Sequence, residues 1–392
     1  MRALFVHDHI FYRKDNDFYS PGGLPAFAWN RYLKNVDQLT VISRGSFDSH
    51  KNGLVLSSVE GVTFDLLYNV RGGLDYYKHR KSIEAKLRAH IEKVDFVVIR
   101  VPSTIGYFAY KICKQMNVPF VSEVVGCAWD STWNYGSFLI KMQAPFGFLQ
   151  MKSIVKTSMA VTYVTKFFLQ KRYPTKAKIV TYASNVQIPL VSDEILEKRL
   201  YSLENVGGQN TFKIGIIGNL AVKYKGYDIA LQSLNKLRVI NPQMKFVFHL
   251  VGGGDQSYVN SLIKKFNMQD YCNVVGHLKS GKEIFDFLDS LDLYLHPSRQ
   301  EGLPRAVIEA MSRGCPILAS SIAGVPELLP SEFLHRPGDA KKLTGDLISI
   351  LSNVNLRKEM AISNFKAAKE YNKEILEERR ESFFNTVVSA LS

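Results

Sequence analysis

Two series of alternating strand-like and helix-like segments, divided by a polar stretch, restrict this chain to a small set of folds. In the first series, Arg2–Val6, Leu39–Ile42, Phe96–Ile99, Phe120–Val124, Ala160–Val164 and Lys178–Tyr182 are predicted as strands. Helices are predicted over Leu24–Leu33 and Ile105–Met116, between those strands. The second series opens at Phe212-Lys-Ile-Gly-Ile-Ile-Gly218 and continues through Lys245–Val251, Asn273–Val275, Leu293–His296 and Pro316–Ala319. Strands that alternate with helices imply parallel sheets covered on both faces. An α/β chain of two Rossmann-like, doubly wound domains is therefore expected. The length of 392 residues agrees, because a single core stops growing at about 250–300 residues.

The domains are placed at 1–190 and 211–369. The polar run 191–211, with helical character at Asp193–Leu203 followed by Asn205-Val-Gly-Gly-Gln-Asn210, is read as a linker. The last helical stretch, 370–392, is long enough to return across that linker and pack on the first domain. Doubly wound sheets bind ligands at the carboxyl ends of their strands, so the expected site is a cleft between the two domains. Fold by itself names no reaction.

Several classes are disfavoured. The four cysteines, Cys113, Cys127, Cys272 and Cys315, form no C-x-x-C pair, which argues against a zinc site or a disulfide framework. The histidines make no H-x-x-x-H or H-E-x-x-H pattern, and no metal or other cofactor is expected. The apolar run at the N-terminus is too short for a signal peptide, and no uninterrupted apolar stretch of about 20 residues occurs. A cytoplasmic protein is expected. Charge is uneven: residues 1–185 hold 25 Lys and Arg against 13 Asp and Glu, whereas 186–392 hold 25 against 23. A basic first half suits an anionic partner, and a generally basic, solubilising surface is the competing reading. No nucleic-acid motif accompanies the charge, so nucleic acid is not expected as a partner.

The segment Glu301-Gly-Leu-Pro-Arg-Ala-Val-Ile-Glu309-Ala-Met-Ser-Arg-Gly314-Cys-Pro316 follows a predicted strand and opens a helix. Gly302 permits a tight turn, and Pro304 suits a first helical turn, where a missing N–H costs little. The amides around Leu303, Pro304 and Arg305 would then face a ligand from a helix N-terminus, Pro304 itself having none. Gly314 and Pro316 stop the helix. This string, with Gly324-Val-Pro-Glu327 beyond it, resembles the signature of the family 4 retaining glycosyltransferases, whose fold is GT-B. The resemblance implies that Glu309 binds the ribose of a nucleotide donor. It also implies that Glu301 holds the transferred sugar beside the reacting carbon.

Further elements match the same family in order. Gly218-Asn219-Leu-Ala-Val-Lys223-Tyr-Lys225-Gly226 ends a strand and enters a helix. Lys225 matches the family's phosphate-binding lysine, while Asn219 stands where an arginine is usual. Lys223 or Arg299 is the candidate replacement for that contact. Gly252-Gly-Gly-Asp255 resembles the turn near the base; it is no G-x-G-x-x-G fingerprint, which disfavours a nicotinamide enzyme. In the first domain, Gly22 and Gly23 resemble the family's glycine loop. Arg100 stands where many relatives carry histidine, so a histidine base is not expected. Glu123 and Asp130 are candidate acceptor or sugar contacts, with buried structural carboxylates as the alternative. His296 is read as a strand-end packing residue.

The resemblance implies a retaining, metal-independent, hexosyl-type transfer from a nucleotide-sugar donor to a glycan or lipid-linked glycan acceptor during bacterial surface polysaccharide assembly. A sugar-nucleotide epimerase or phosphorylase of the same fold is one alternative. A non-catalytic binder of nucleotide sugar is the other. The basic aromatic segments Tyr76–Lys81 and Phe138–Lys156 could lie on an anionic membrane surface on the inner face of the cytoplasmic membrane. For the second segment, a core helix with exposed lysines is the competing reading.

Overall fold

The structure, a computed structural model, describes residues 1–47, 53–68, 70, 74–133, 141–205 and 211–392. Residues 138–140 of the second basic segment and 206–210 of the polar stretch lie outside the described residues. The chain divides into two compact units, Met1–Ala183 with Glu377–Ser392, and Ser184–Leu376.

In the first unit the strands are β1 (Arg2–Lys14), β2 (Asp17–Ser20), β3 (Gln38–Ser46), β4 (Val55–Leu56), β5 (Val62–Phe64), β6 (Phe96–Val101), β7 (Phe120–Val124), β8 (Ala160–Tyr163) and β9 (Ile179–Tyr182). Parallel pairing runs β5–β3–β1–β6–β7–β8–β9. Strand order reverses between β1 and β6, so the sheet is doubly wound, with its switch point at their carboxyl ends. Every residue of β6 is buried, as expected for a strand covered on both faces.

Beyond Val6, β1 continues past a register shift and turns back antiparallel into β2, which pairs with β4. That hairpin was not visible in the sequence, since Arg13-Lys-Asp-Asn-Asp17 reads as a polar loop. The helix predicted over Leu24–Leu33 is a 3-10 turn at Ala26–Trp29 followed by a short α-helix at Asn30–Leu33. From the C-terminal helix, Lys373–Leu391, the residues Phe383, Phe384 and Val387 are buried in one cluster with Phe5, Trp29 and Tyr32.

The second unit is a six-stranded sheet with order β12–β11–β10–β13–β14–β15, all pairs parallel. Its strands are β10 (Phe212–Ile217), β11 (Phe246–Val251), β12 (Cys272–Gly276), β13 (Leu293–His296), β14 (Ile317–Ser320) and β15 (Leu334–His335). The reversal falls between β10 and β13. Most of the polar stretch 191–211 is a helix, Asp193–Asn205, that belongs to this unit. Its buried Arg199 donates from Nε to the Arg313 carbonyl at 3.1 Å and from Nη2 to the Leu288 carbonyl at 2.8 Å. A long cation therefore satisfies helix-end carbonyls that would otherwise be stranded.

Candidate active site

At the switch point of the second unit, a cavity of about 430 Å³ opens between the loops that follow β10 and β13. Backbone contacts bring those loops together. Gly226 has φ of +76°, and a Cβ there would fall 2.0 Å from the Pro297 carbonyl oxygen. The Arg299 amide donates to the Tyr224 carbonyl at 2.7 Å, and Ser298 Oγ donates to the same oxygen at 3.1 Å. The Arg299 guanidinium clasps Asp228 with two bonds of 2.8 and 2.7 Å. The Arg299 side chain is therefore engaged in joining the two loops and does not line the cavity. That corrects its candidacy for a phosphate contact.

This clamp carries Lys225 and Glu301 to each other. Lys225 Nζ donates to Glu301 Oε1 at 2.8 Å. His296 Nε2 lies 3.0 Å from the same oxygen, off the axis of a hydrogen bond. Burial by itself would raise the Glu301 carboxyl, but the Lys225 ammonium and the His296 ring beside it prevail and hold it down at about 2. Glu301 is thus a carboxylate at every physiological pH, too weak a base to move protons efficiently near neutrality. What it offers is fixed negative charge.

Behind Glu301, the helix Arg305–Ser312 begins at the cavity wall with Pro304 as its N-cap residue and no side-chain cap. Pro304 therefore stands one place earlier than the first helical position read from the sequence. The opening amides of this helix have no acceptor within it, so they suit anionic or hydroxyl-rich groups. Leu303, Pro304, Arg305 and Ala306 line the cavity, and so does Glu309 one turn further on. Burial pushes the Glu309 carboxyl up, opposed by Arg305. Donors that pair with the charged form, such as sugar hydroxyls, would favour it there. Gly314, with φ of +58°, closes the helix, and the Gly302 carbonyl accepts from the Gly324 amide at 3.0 Å. The segment Gly324-Val-Pro-Glu327 thereby ties down the Glu301 loop.

Gly218 and Gly252 also line the cavity. A Cβ on Gly252 would stand 1.6 Å from the Gly218 carbonyl oxygen, so the ends of β10 and β11 meet only because Gly252 has none. Asn219 Oδ1 accepts from the Ala221 amide at 3.0 Å. Its side chain therefore closes an Asx turn in place of the arginine expected there. Lys223 is exposed, with its ammonium 5.8 Å from the centre of the Tyr258 ring. His277, Ser280 and His296 also line the cavity and were missed as site residues. No motif marks the first two. His296 carried a usable signal: it ends a strand five residues ahead of the signature glutamate.

In the first unit, Gly22 (φ of +87°) and Gly23 form the turn after β2. The Leu24 amide closes that turn by donating to Ser20 Oγ at 3.0 Å. Arg100 and Glu123 face each other across β6 and β7. Arg100 Nη1 donates to Glu123 Oε2 at 3.2 Å, and the Tyr32 hydroxyl donates to Oε1 at 2.7 Å. Glu123 is 4% exposed and Arg100 8%. Both belong to an internal ion pair, the structural alternative weighed for Glu123. Burial, then Arg31, lowers the neighbouring Arg380 guanidinium to about 10, opposed by Glu377 and Glu123.

Glu123→Ala strips the counter-charge from this cluster and should cost about 3–5 kcal/mol. A thermal melt of the variant should show Tm lower by roughly 10 °C. Unchanged melting would show that the pair carries no such weight.

Asp130 lies on the helix Ala128–Trp133, with Oδ1 at 3.5 Å from Arg172 Nη2. At this unit's own switch point, Asp8 accepts from Ser103 Oγ, the Thr104 amide and the Ile105 amide at 2.8, 2.7 and 3.0 Å. It borders a second cavity of about 250 Å³ lined also by Ser131, Thr132, Gly147 and Gln150. Asp8 was not anticipated, because its three donors lie more than ninety residues away.

The profile of the family described as "Glycosyl transferases group 1" matches residues 211–353. Protein CapJ of Staphylococcus aureus is 34% identical over 385 residues, covering 97% of this chain and 94% of CapJ. The amylovoran biosynthesis glycosyltransferase AmsK of Erwinia amylovora is 31% identical over 137 residues, 32% of this chain and 33% of AmsK. The crystal structure of Anabaena Alr3699/HepE in complex with UDP superposes over 100% of both chains, with a TM-score of 0.67 at 16% identity. That likeness concerns the fold, which is GT-B. The match to CapJ runs almost end to end and the family profile falls on the unit that holds the larger cavity, so this chain belongs to the group 1 glycosyl transferases.

Proposed function

We propose that the protein transfers a sugar from a nucleoside diphosphate sugar to a hydroxyl of a glycan or lipid-linked glycan, with retention at the anomeric carbon and without a metal. The observation that carries this reading is the convergence of Lys225, Glu301, Glu309 and an uncapped helix N-terminus on one cavity. Glu309 accepts from the ribose hydroxyls. Lys225 and the opening amides near Arg305 receive the diphosphate and supply the positive charge that a metal supplies elsewhere. Glu301, always ionised, accepts from sugar hydroxyls and stabilises the cationic centre that develops as the diphosphate departs. The departing phosphate takes the acceptor proton on the same face, so the reaction needs no separate strong base. Attack on that face gives retention.

The name of AmsK and the complex of Alr3699/HepE favour a polysaccharide pathway and a uridine nucleotide as first candidates. The reaction would take place in the cytoplasm, where nucleotide sugars are made.

A thermal-shift panel of UDP, GDP, ADP and their sugars tests the donor. A nucleotide present at a hundredfold its Kd adds about 2.7 kcal/mol, which corresponds to roughly 5–10 °C. Radiolabelled donor then tests the reaction. Label in a new glycosidic bond supports transfer, whereas an isomerised donor or free sugar phosphate overturns it.

A further inference from the structure

Resting on the donor reading above, we propose that His296 is a positioning residue: its Nε2–H takes hold of Glu301 when the diphosphate of a bound nucleotide draws Lys225 away. Lys225 Nζ donates to Glu301 Oε1 at 2.8 Å, and the same ammonium is the group assigned to the diphosphate. Sharing one cation between two anions would set like charges side by side and leave each weakly held. A second donor within reach of Glu301 removes that conflict.

His296 has the placement of such a donor. It ends β13, is 2% exposed and lines the larger cavity. Nε2 stands 3.0 Å from Glu301 Oε1, yet it makes no hydrogen bond among the described residues. A buried polar atom left in that condition is costly, and folded chains keep few of them without a use. The neighbours decide where the ring proton sits. The Glu301 carboxyl, held at about 2, has no proton to offer. Two lone pairs 3.0 Å apart would repel, so Nε2 carries the hydrogen. Nδ1 is then an acceptor, and the Tyr294 hydroxyl lies 3.5 Å from it. Tyr294 is fully buried, its ring centre 6.2 Å from that of His296 with 25° between the planes. The imidazole is thus fixed from behind, whereas the partly exposed Lys225 hangs on a four-carbon stem that can swing. A small turn of the Glu301 carboxylate brings Oε1 onto the Nε2–H axis. The longer side chain goes to the phosphates, and the fixed donor keeps the carboxylate in place.

The test is calorimetric titration of the full chain with UDP, GDP and ADP, each compared with its nucleoside as a ligand without phosphates. For a diphosphate that binds the parent, His296→Leu should raise Kd about tenfold, the weight of one hydrogen bond to a charged group. Lys225 then leaves Glu301 with no replacement. Affinity for the nucleoside should stay parental, and His296→Gln, whose amide reaches toward Glu301, should recover most of the loss. In the Glu301→Gln background, His296→Leu should add nothing, because the carboxylate it serves is gone. An equal loss in that background would mean that His296 touches the phosphates directly, and it overturns the proposal. So does an equal loss for the nucleoside, the mark of a merely structural effect, and so does parental diphosphate binding by His296→Leu. His296→Phe keeps a buried ring without the donor and carries the same comparison if the leucine variant does not fold. If none of the three diphosphates binds the parent, the donor reading itself falls, and the handover falls with it.

Discussion

Glu301→Gln should yield a folded protein that still binds nucleotide yet turns over at least about a hundred- to a thousandfold more slowly. The amide keeps the shape and some hydrogen bonding of the carboxylate but removes the charge that the proposed reaction sets beside the reacting carbon. Nucleotide affinity should change far less, since Glu309 and the helix amides remain. The loss therefore belongs in kcat rather than in binding of the free nucleotide. Parental kcat in this variant would sink the role assigned to Glu301.

The same substitution has a second signature in stability. The folded carboxyl sits at about 2, below its ordinary value of 4.5. Folding therefore favours the ionised form, a contribution on the order of 3 kcal/mol. It is present in full above pH 4.5 and is lost as the pH falls toward 2. Melting followed through that window should show a shallower acid slope for Glu301→Gln than for the parent. Identical slopes would mean that the Lys225–Glu301 pair is not held as described.

The second large effect is expected from Gly252→Ala, which adds one methyl group and nothing else. The new Cβ would meet the Gly218 carbonyl at 1.6 Å, a backbone atom that has no rotamer by which to escape. The ends of β10 and β11 must separate, breaking the bond from the Gly218 amide to the Val251 carbonyl, now 2.9 Å. Overpacking with backbone strain should cost about 3 kcal/mol or more, roughly 6–12 °C in Tm. Because Gly218 walls the cavity, nucleotide-induced stabilisation should vanish as well. Gly338→Ala is the control: it also has positive φ, but nothing lies within 4 Å of its missing Cβ. It should show conformational strain alone and keep nucleotide binding.

Much of the lining of the larger cavity was legible because its parts are local. Gly302, Pro304 and Gly314 each act through the backbone of their own few residues, and Glu301 and Glu309 sit at a set distance on one loop and one helix. Lys225 could be assigned only by resemblance, since its meeting with Glu301 spans 76 residues. Asn219 went the other way. The family arginine is absent, and the asparagine's use lies two residues away, in a turn that composition did not announce.

The first unit was less readable for a physical reason. Its chemistry depends on register: Arg100 faces Glu123 only because β6 and β7 pair as they do, and Tyr32 reaches Glu123 from a helix 91 residues away. Asp8 likewise caps a distant helix. Long-range pairs of this kind leave no periodicity for a sequence reading to detect.

The sequence by itself determined the α/β alternation, the two sheets and the signature that names the family, because strand period, helix period and turn chemistry are properties of neighbouring residues. Tertiary structure alone decided which charges are engaged internally and which face a cavity. Arg299 binds Asp228, Arg100 binds Glu123, and Lys225 binds Glu301 at the cavity wall. The deciding quantity is burial. A charge removed from water must find a partner wherever the fold brings one, and only the folded chain says where that is.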